Sequence, residues 1–142
     1  RPMRGDDLAA VAALDGEAFG AGRAALLAYL HGCAPCAWVA EGSGGLAGFV
    51  LGRPGVTTLH LGPLVARDAE TATALAARAL GEGAVAGMPV SIDVPDGQSI
   101  FRQRLRAAGF APLRPFTRML RHEGATPGAA GLTFAIAGPE LG

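Results

Sequence analysis

One unit between Thr57 and Val94 constrains this chain more than anything else in it. Thr57–Ala66 reads as an extended run, Asp68–Leu80 as a helix, and Pro89–Val94 as a second short apolar strand. A helical crossover carries the chain back to the end of the sheet from which it left, so the two strands are expected to lie parallel. The helix is the clearest element. Ala72, Leu75, Ala76, Ala79 and Leu80 fall on one stripe at helical spacing, Asp68 is placed to cap its start, and Gly81 and Gly83 are placed to end it.

The rest of the chain arranges itself around that unit. Asp6 or Asp7 opens a helix carrying Leu8, Val11, Ala12 and Leu14, which Gly20 and Gly22 break, and Arg23–Leu30 gives a second helix. Ala37–Ala40 and Leu46–Leu51 are strands joined across Gly42-Ser43-Gly44-Gly45, since glycine reaches positive φ without penalty. Gly62-Pro63 interrupts the third strand, and proline there implies an edge or a bulge. Ser99–Ala108 is a helix with Phe101, Leu105 and Ala108 inward, and Gly109 is a left-handed stop. Phe116–Leu120 and Leu132–Ala137 complete six or seven strands of a mixed, mostly antiparallel sheet with about four helices. The expected fold class is therefore α/β (α+β), in one domain spanning 1–142.

Composition removes several classes of function. Twelve basic residues balance twelve acidic ones, so no basic surface marks a nucleic-acid or membrane partner. No apolar run approaches the ~20 residues that cross a bilayer. Two cysteines cannot build a disulfide framework, which suggests a reducing, cytoplasmic setting. Lysine is absent, which excludes a Schiff base. Cys33 and Cys36 with His31 fall short of the four ligands of structural zinc, so no metal is expected. The chain opens on Arg1 with a helix start close behind, and the expectation is a domain cut from a longer protein.

The element order is similar to that of the GNAT (Gcn5-related N-acetyltransferase) superfamily. Leu105-Arg106-Ala107-Ala108-Gly109-Phe110 resembles the Leu-x-x-x-Gly-Phe ending of that family's last helix. Arg67-Asp68-Ala69-Glu70-Thr71-Ala72 resembles its Arg/Gln-x-x-Gly-x-Gly/Ala phosphate loop, with Glu70 in place of glycine. Gly62–Ala66, Ile92–Pro95, Arg118-Met119 and the closing Phe134–Gly142 resemble the C-terminal GNAT-like domain of tandem bacterial proteins. The resemblance implies that the fourth and fifth strands of the family, here Thr57–Ala66 and Pro89–Val94, splay apart. It implies acyl-CoA, by default acetyl-CoA, in that gap as cosubstrate, with its pyrophosphate on the following helix. The implied cofactor-binding set is Leu64, Val65, Ala66, Arg67, Asp68, Ala69, Glu70, Thr71, Ala72 and Gln98, with the Leu64 and Val65 N–H groups near the thioester. A tandem N-terminal GNAT domain, or a second copy of the chain, is the implied protein partner.

The implied activity is transfer of an acyl group to a primary amine of a small molecule or peptide. His60 and Asp93 are the candidate bases for the ammonium, since imidazole changes charge near neutral pH; each has a structural alternative, as a packed histidine and as a turn cap. Leu105 occupies the position where many of these enzymes carry the tyrosine that protonates the thiolate, and the sole tyrosine, Tyr29, lies far off in sequence. Arg102, Arg104 and Arg106 form a basic strip, and Arg114, Arg118 and Arg121 are candidate carboxylate clamps. Leu105 and Glu70 keep open an alternative: a non-catalytic GNAT-like module that binds a ligand or packs on a catalytic N-terminal domain.

Overall fold

The computed structural model describes residues 1–82, 87–117, 119 and 128–141. Helices α1 (Leu8–Phe19) and α2 (Ala24–Cys33) precede strands β1 (Ala37–Gly42), β2 (Gly45–Pro54) and β3 (Leu59–Ala66). Helix α3 (Ala69–Leu80), strand β4 (Val90–Ser91), helix α4 (Ser99–Ala107) and strand β5 (Thr133–Ala135) follow. Among the described residues the sheet has five strands, short of the six or seven expected. The expected strand Phe116–Leu120 falls partly on residues outside the described set, and Phe116 and Thr117 are not in a strand.

The sheet is mixed. β1 pairs with β2 and β2 with β3, both antiparallel. β3 and β4 are parallel neighbours, in register at Leu59–Val90 and His60–Ser91, as the strand–helix–strand unit requires. Farther along, β3 pairs antiparallel with β5, Leu64 opposite Ala135 and Val65 opposite Thr133. Pro63 sits inside β3 after a cis peptide, opposite a register irregularity between Val50 and Gly52.

Two apolar layers hold the sheet. On one face α3 and α4 bring Ala72, Leu75, Ala76, Phe101 and Leu105 against Val50, Leu61 and Leu64. On the other, α1 and α2 bring Val11, Leu14, Leu27 and Leu30 against Val39, Phe49, Leu51 and Val65. β3 is buried along its whole length. Each fully buried aliphatic side chain contributes about 1.5–3 kcal/mol of transfer free energy, so this strand anchors both layers.

At the helix ends, local signals are honoured except at Asp7 and Ala108. Gly20 ends α1 at φ 84°, and Gly109 follows α4 at φ 93°. Asp7 does not cap α1 through its side chain; its carboxylate accepts from the Arg4 N–H at 2.7 Å and from Arg1. The Arg1 and Arg4 hydrogen bonds hold that carboxyl down at about 2. Ala108 is exposed rather than inward, because α4 has already ended at Ala107.

Candidate functional site

The α3 N-terminus is the first element to consider, since unpaired N–H groups and the helix dipole favour an anion there. In this chain the anion is built in. The Asp68 carboxylate accepts from the Thr71 N–H at 2.7 Å. That backbone bond, then the Thr71 hydroxyl and the Glu70 N–H, hold Asp68 below the usual carboxylate range. Glu70 adds a second carboxylate in the same turn. The adjoining cleft, about 300 Å³, is lined by Ala40, Asp68, Glu70, Thr71 and Ala74. Arg67, the basic member of the loop, is engaged by Glu17 at 2.6 Å.

The cap yields a pH-dependent prediction. A depressed carboxylate stabilises the folded state above its ordinary value of 3.8, and that contribution disappears as pH falls through the folded value. Asp68→Ala is therefore expected to lower the melting temperature by a few degrees at neutral pH, with the difference from wild type shrinking toward pH 2. Thermal melts of both proteins across that range test it; a difference independent of pH would remove the capping role.

His60 and Asp93 do come together. His60 lies on β3 and is 8% exposed. Its Nδ1 is 3.9 Å from an Asp93 carboxylate oxygen and 3.5 Å from the Ser91 hydroxyl. Its Nε2 is 3.1 Å from the Ile136 carbonyl. An imidazole protonated on Nε2 satisfies both ends, donating to Ile136 and leaving Nδ1 as acceptor. The backbone carbonyl of Asp93 accepts from the Ile136 N–H at 3.0 Å.

Other candidate residues sit elsewhere. Gln98 donates to the carbonyls of Gly131 and Thr133, at 2.8 and 2.9 Å. Leu64, Val65 and Ala66 are buried in the β3 ladder, in register with Val50, Phe49 and Gly48 of β2. Ala69 and Ala72 belong to the first turn of α3. Arg104 binds the Ala69 carbonyl and the Thr73 hydroxyl, and Arg102 pairs with Asp96. Arg114 lies over the Phe116 ring; Arg118 and Arg121 lie outside the described residues. Leu105 is buried in the core and Tyr29 is exposed on α2. No group of three metal-ligating side chains occurs among the described residues; burial, with Glu82 nearby, pushes the Cys36 thiol up to about 11.

The sequence gives the closing segment as a strand and as part of the family resemblance, but not its place beside β3. Residues 133–137 touch β3 on one side and the chain following β4 on the other. They lie beyond the His60–Ser91 pair, where β3 and β4 are no longer in register. The sequence signal was Gly62, a glycine inside a buried strand, where a Cβ would overlap the Ile136 carbonyl.

A family model for the acetyltransferase (GNAT) domain matches residues 11–135. The chain belongs to the GNAT acetyltransferase-domain family. Solved structures agree on the fold. TTHA1254 from Thermus thermophilus is 22% identical with a TM-score of 0.62, over 88% of this chain and 97% of that one. A candidate acetyltransferase of the GNAT family from Xanthomonas campestris pv. campestris is 18% identical with a TM-score of 0.58, over 87% and 89%. Among curated proteins none matches. Family membership supports acyl transfer at the level of the family. The α3 turn, with two carboxylates and a neutralised arginine, and the filled space beside β3 do not fit acyl-CoA in this conformation.

Proposed function

We propose that this domain is a GNAT N-acyltransferase that moves an acyl group, acetyl by family default, from acyl-CoA to a primary amine of a small molecule or peptide. The observation that carries the reading is the His60–Asp93 pair, at the point where the parallel register of β3 and β4 ends. In this reading the two strands diverge beyond His60, and the amine is deprotonated there. His60 Nδ1 receives the ammonium proton, and the neighbouring Asp93 carboxylate stabilises the resulting imidazolium. Leu64 to Ala72 and Gln98 form the donor side.

One observation favours a second reading. The carboxylates of Asp68 and Glu70 at the α3 N-terminus, with Arg67 held by Glu17, suit a GNAT-like companion module that does not bind the donor. Such a module would pack on a catalytic GNAT domain.

Calorimetric titration of CoA separates the two. Glu70→Gly removes a like charge from the turn and frees its backbone, and is expected to tighten CoA binding about tenfold. Arg67→Ala is expected to weaken it. His60→Ala and Asp93→Asn should then lower amine acetylation measured at saturating acyl-CoA. Absence of CoA binding in wild type and Glu70→Gly alike would leave the companion reading.

A further inference from the structure

The space beside β3 already has an occupant. Thr133 and Ala135 stand in register with Val65 and Leu64. The Ile136 N–H donates to the Asp93 carbonyl, and the Ile136 carbonyl faces His60 Nε2. Gln98 holds the near end through Gly131 and Thr133. At the far end Glu140 pairs with Arg53 at 2.7 Å, and the Leu141 carbonyl accepts from Arg23 at 3.1 Å. Phe134, Ala135 and Ala137 are buried. The wall itself is shaped for this segment, because Gly62 alone lets the Ile136 carbonyl approach.

We propose that segment 133–137 is a self-inserted strand that occupies the donor gap, so that acyl-CoA binds only in competition with it. The inference rests on the acyl-CoA reading above. Its logic is that groups this reading assigns to the donor are groups the segment covers: the edge of β3 at Leu64 and Val65 and the Gln98 amide. A backbone edge can pair with a peptide strand or with a ligand, not with both at once. Donor affinity is then reduced by the fraction of molecules in which the gap is open.

Seating is adjustable from outside the core. Ile136 is only half-buried and Glu140 is exposed, yet each ties the segment in place. Ile136→Pro deletes the N–H that Asp93 accepts. Glu140→Ala deletes the ion pair to Arg53 and leaves the packing untouched, so it remains informative if the proline variant folds poorly.

The experiment is calorimetric titration of CoA into wild type, Ile136→Pro and Glu140→Ala, with amide hydrogen exchange at Thr133–Ala137 followed with and without CoA. Expected are affinities about tenfold tighter in Ile136→Pro and a few-fold tighter in Glu140→Ala, with faster exchange of the segment in wild type on saturation. Measurable but equal affinities would overturn the competition while leaving the acyl-CoA reading intact. So would CoA saturation with the segment's amides still protected. Variants whose segment exchanges freely and which still bind no CoA would overturn both.

Discussion

Asp15→Ala is expected to destabilise this domain by about 3–5 kcal/mol, a fall of roughly 10 °C or more in melting temperature. Asp15 is the fully buried charged residue of α1. Its two carboxylate oxygens accept from Arg23 Nε at 2.7 Å and Nη2 at 3.0 Å. The same guanidinium lies over the Phe19 ring and donates to the Leu141 carbonyl. One arginine therefore joins α1, the start of α2 and the end of the described chain. Removing the carboxylate takes a bidentate, charge-assisted partner from a guanidinium that is 11% exposed, and the penalty comes from losing two such bonds at a buried site. Arg23→Lys should also destabilise, since an ammonium cannot reproduce the planar fork. Urea melts decide it: a loss below about 1 kcal/mol for Asp15→Ala would mean that the pair is solvated in solution.

Elements written in local chemistry were legible in the sequence, and elements made by distant pairing were not. α3 announced itself by its apolar stripe and by Asp68, which does cap it. The β1–β2 hairpin followed from its glycine-rich turn, and Gly20 and Gly109 marked helix ends through positive φ. The parallel pairing of β3 with β4 followed from the crossover alone. The length of β4 did not: Pro89–Val94 reads as a strand, yet pairing stops at Ser91, and the Asp93 carbonyl bonds Ile136 instead. Nothing local connects residues 133–137 with residues 64–65, so their pairing is invisible to periodicity and turn chemistry. Asp15 was missed for a related reason. It follows the apolar Leu14 on α1, and its partner Arg23 reads as a helix start.

The same distinction runs through the site. His60 and Asp93 were expected to face each other across the gap that the family resemblance implies, and the structure brings them within 3.9 Å, although Asp93 lies past the end of β4. Glu70 was visible as a departure from the family's glycine. That Arg67 is held by Glu17 required tertiary structure, because Glu17 lies fifty residues away on α1. Exposed pairs of this kind contribute little stability, but this one occupies the cation that a phosphate would need. Family membership and local geometry thus pull in different directions, and the closing segment is where they meet.

Phe134→Ala should cost about 3–5 kcal/mol, the range for truncating a buried aromatic side chain. Phe134 is the one large side chain of β5, and it is buried. Its ring meets Phe101 of α4 edge-to-face, with centroids 5.6 Å apart and planes at 86°. Phe101 in turn packs with Leu61, Leu64 and Leu105 in the α3–α4 layer, so the ring ties the inserted segment to the side of the sheet on which α3 sits. Ala135, in the same layer, is too small to close the space that truncation leaves, and the cavity contribution persists rather than relaxing away. A double-mutant cycle with Phe101→Ala should return a coupling of about 0.5–1.5 kcal/mol beyond the area term, as expected for an edge-to-face pair. Ile136→Ala is the internal control: half-buried, it should lose clearly less than Phe134→Ala. The measurement is chemical denaturation of wild type and these variants. A Phe134→Ala loss no larger than that of Ile136→Ala, with zero coupling to Phe101, would mean that residues 133–137 do not sit beside β3 in solution, and the self-inserted strand would fall with them.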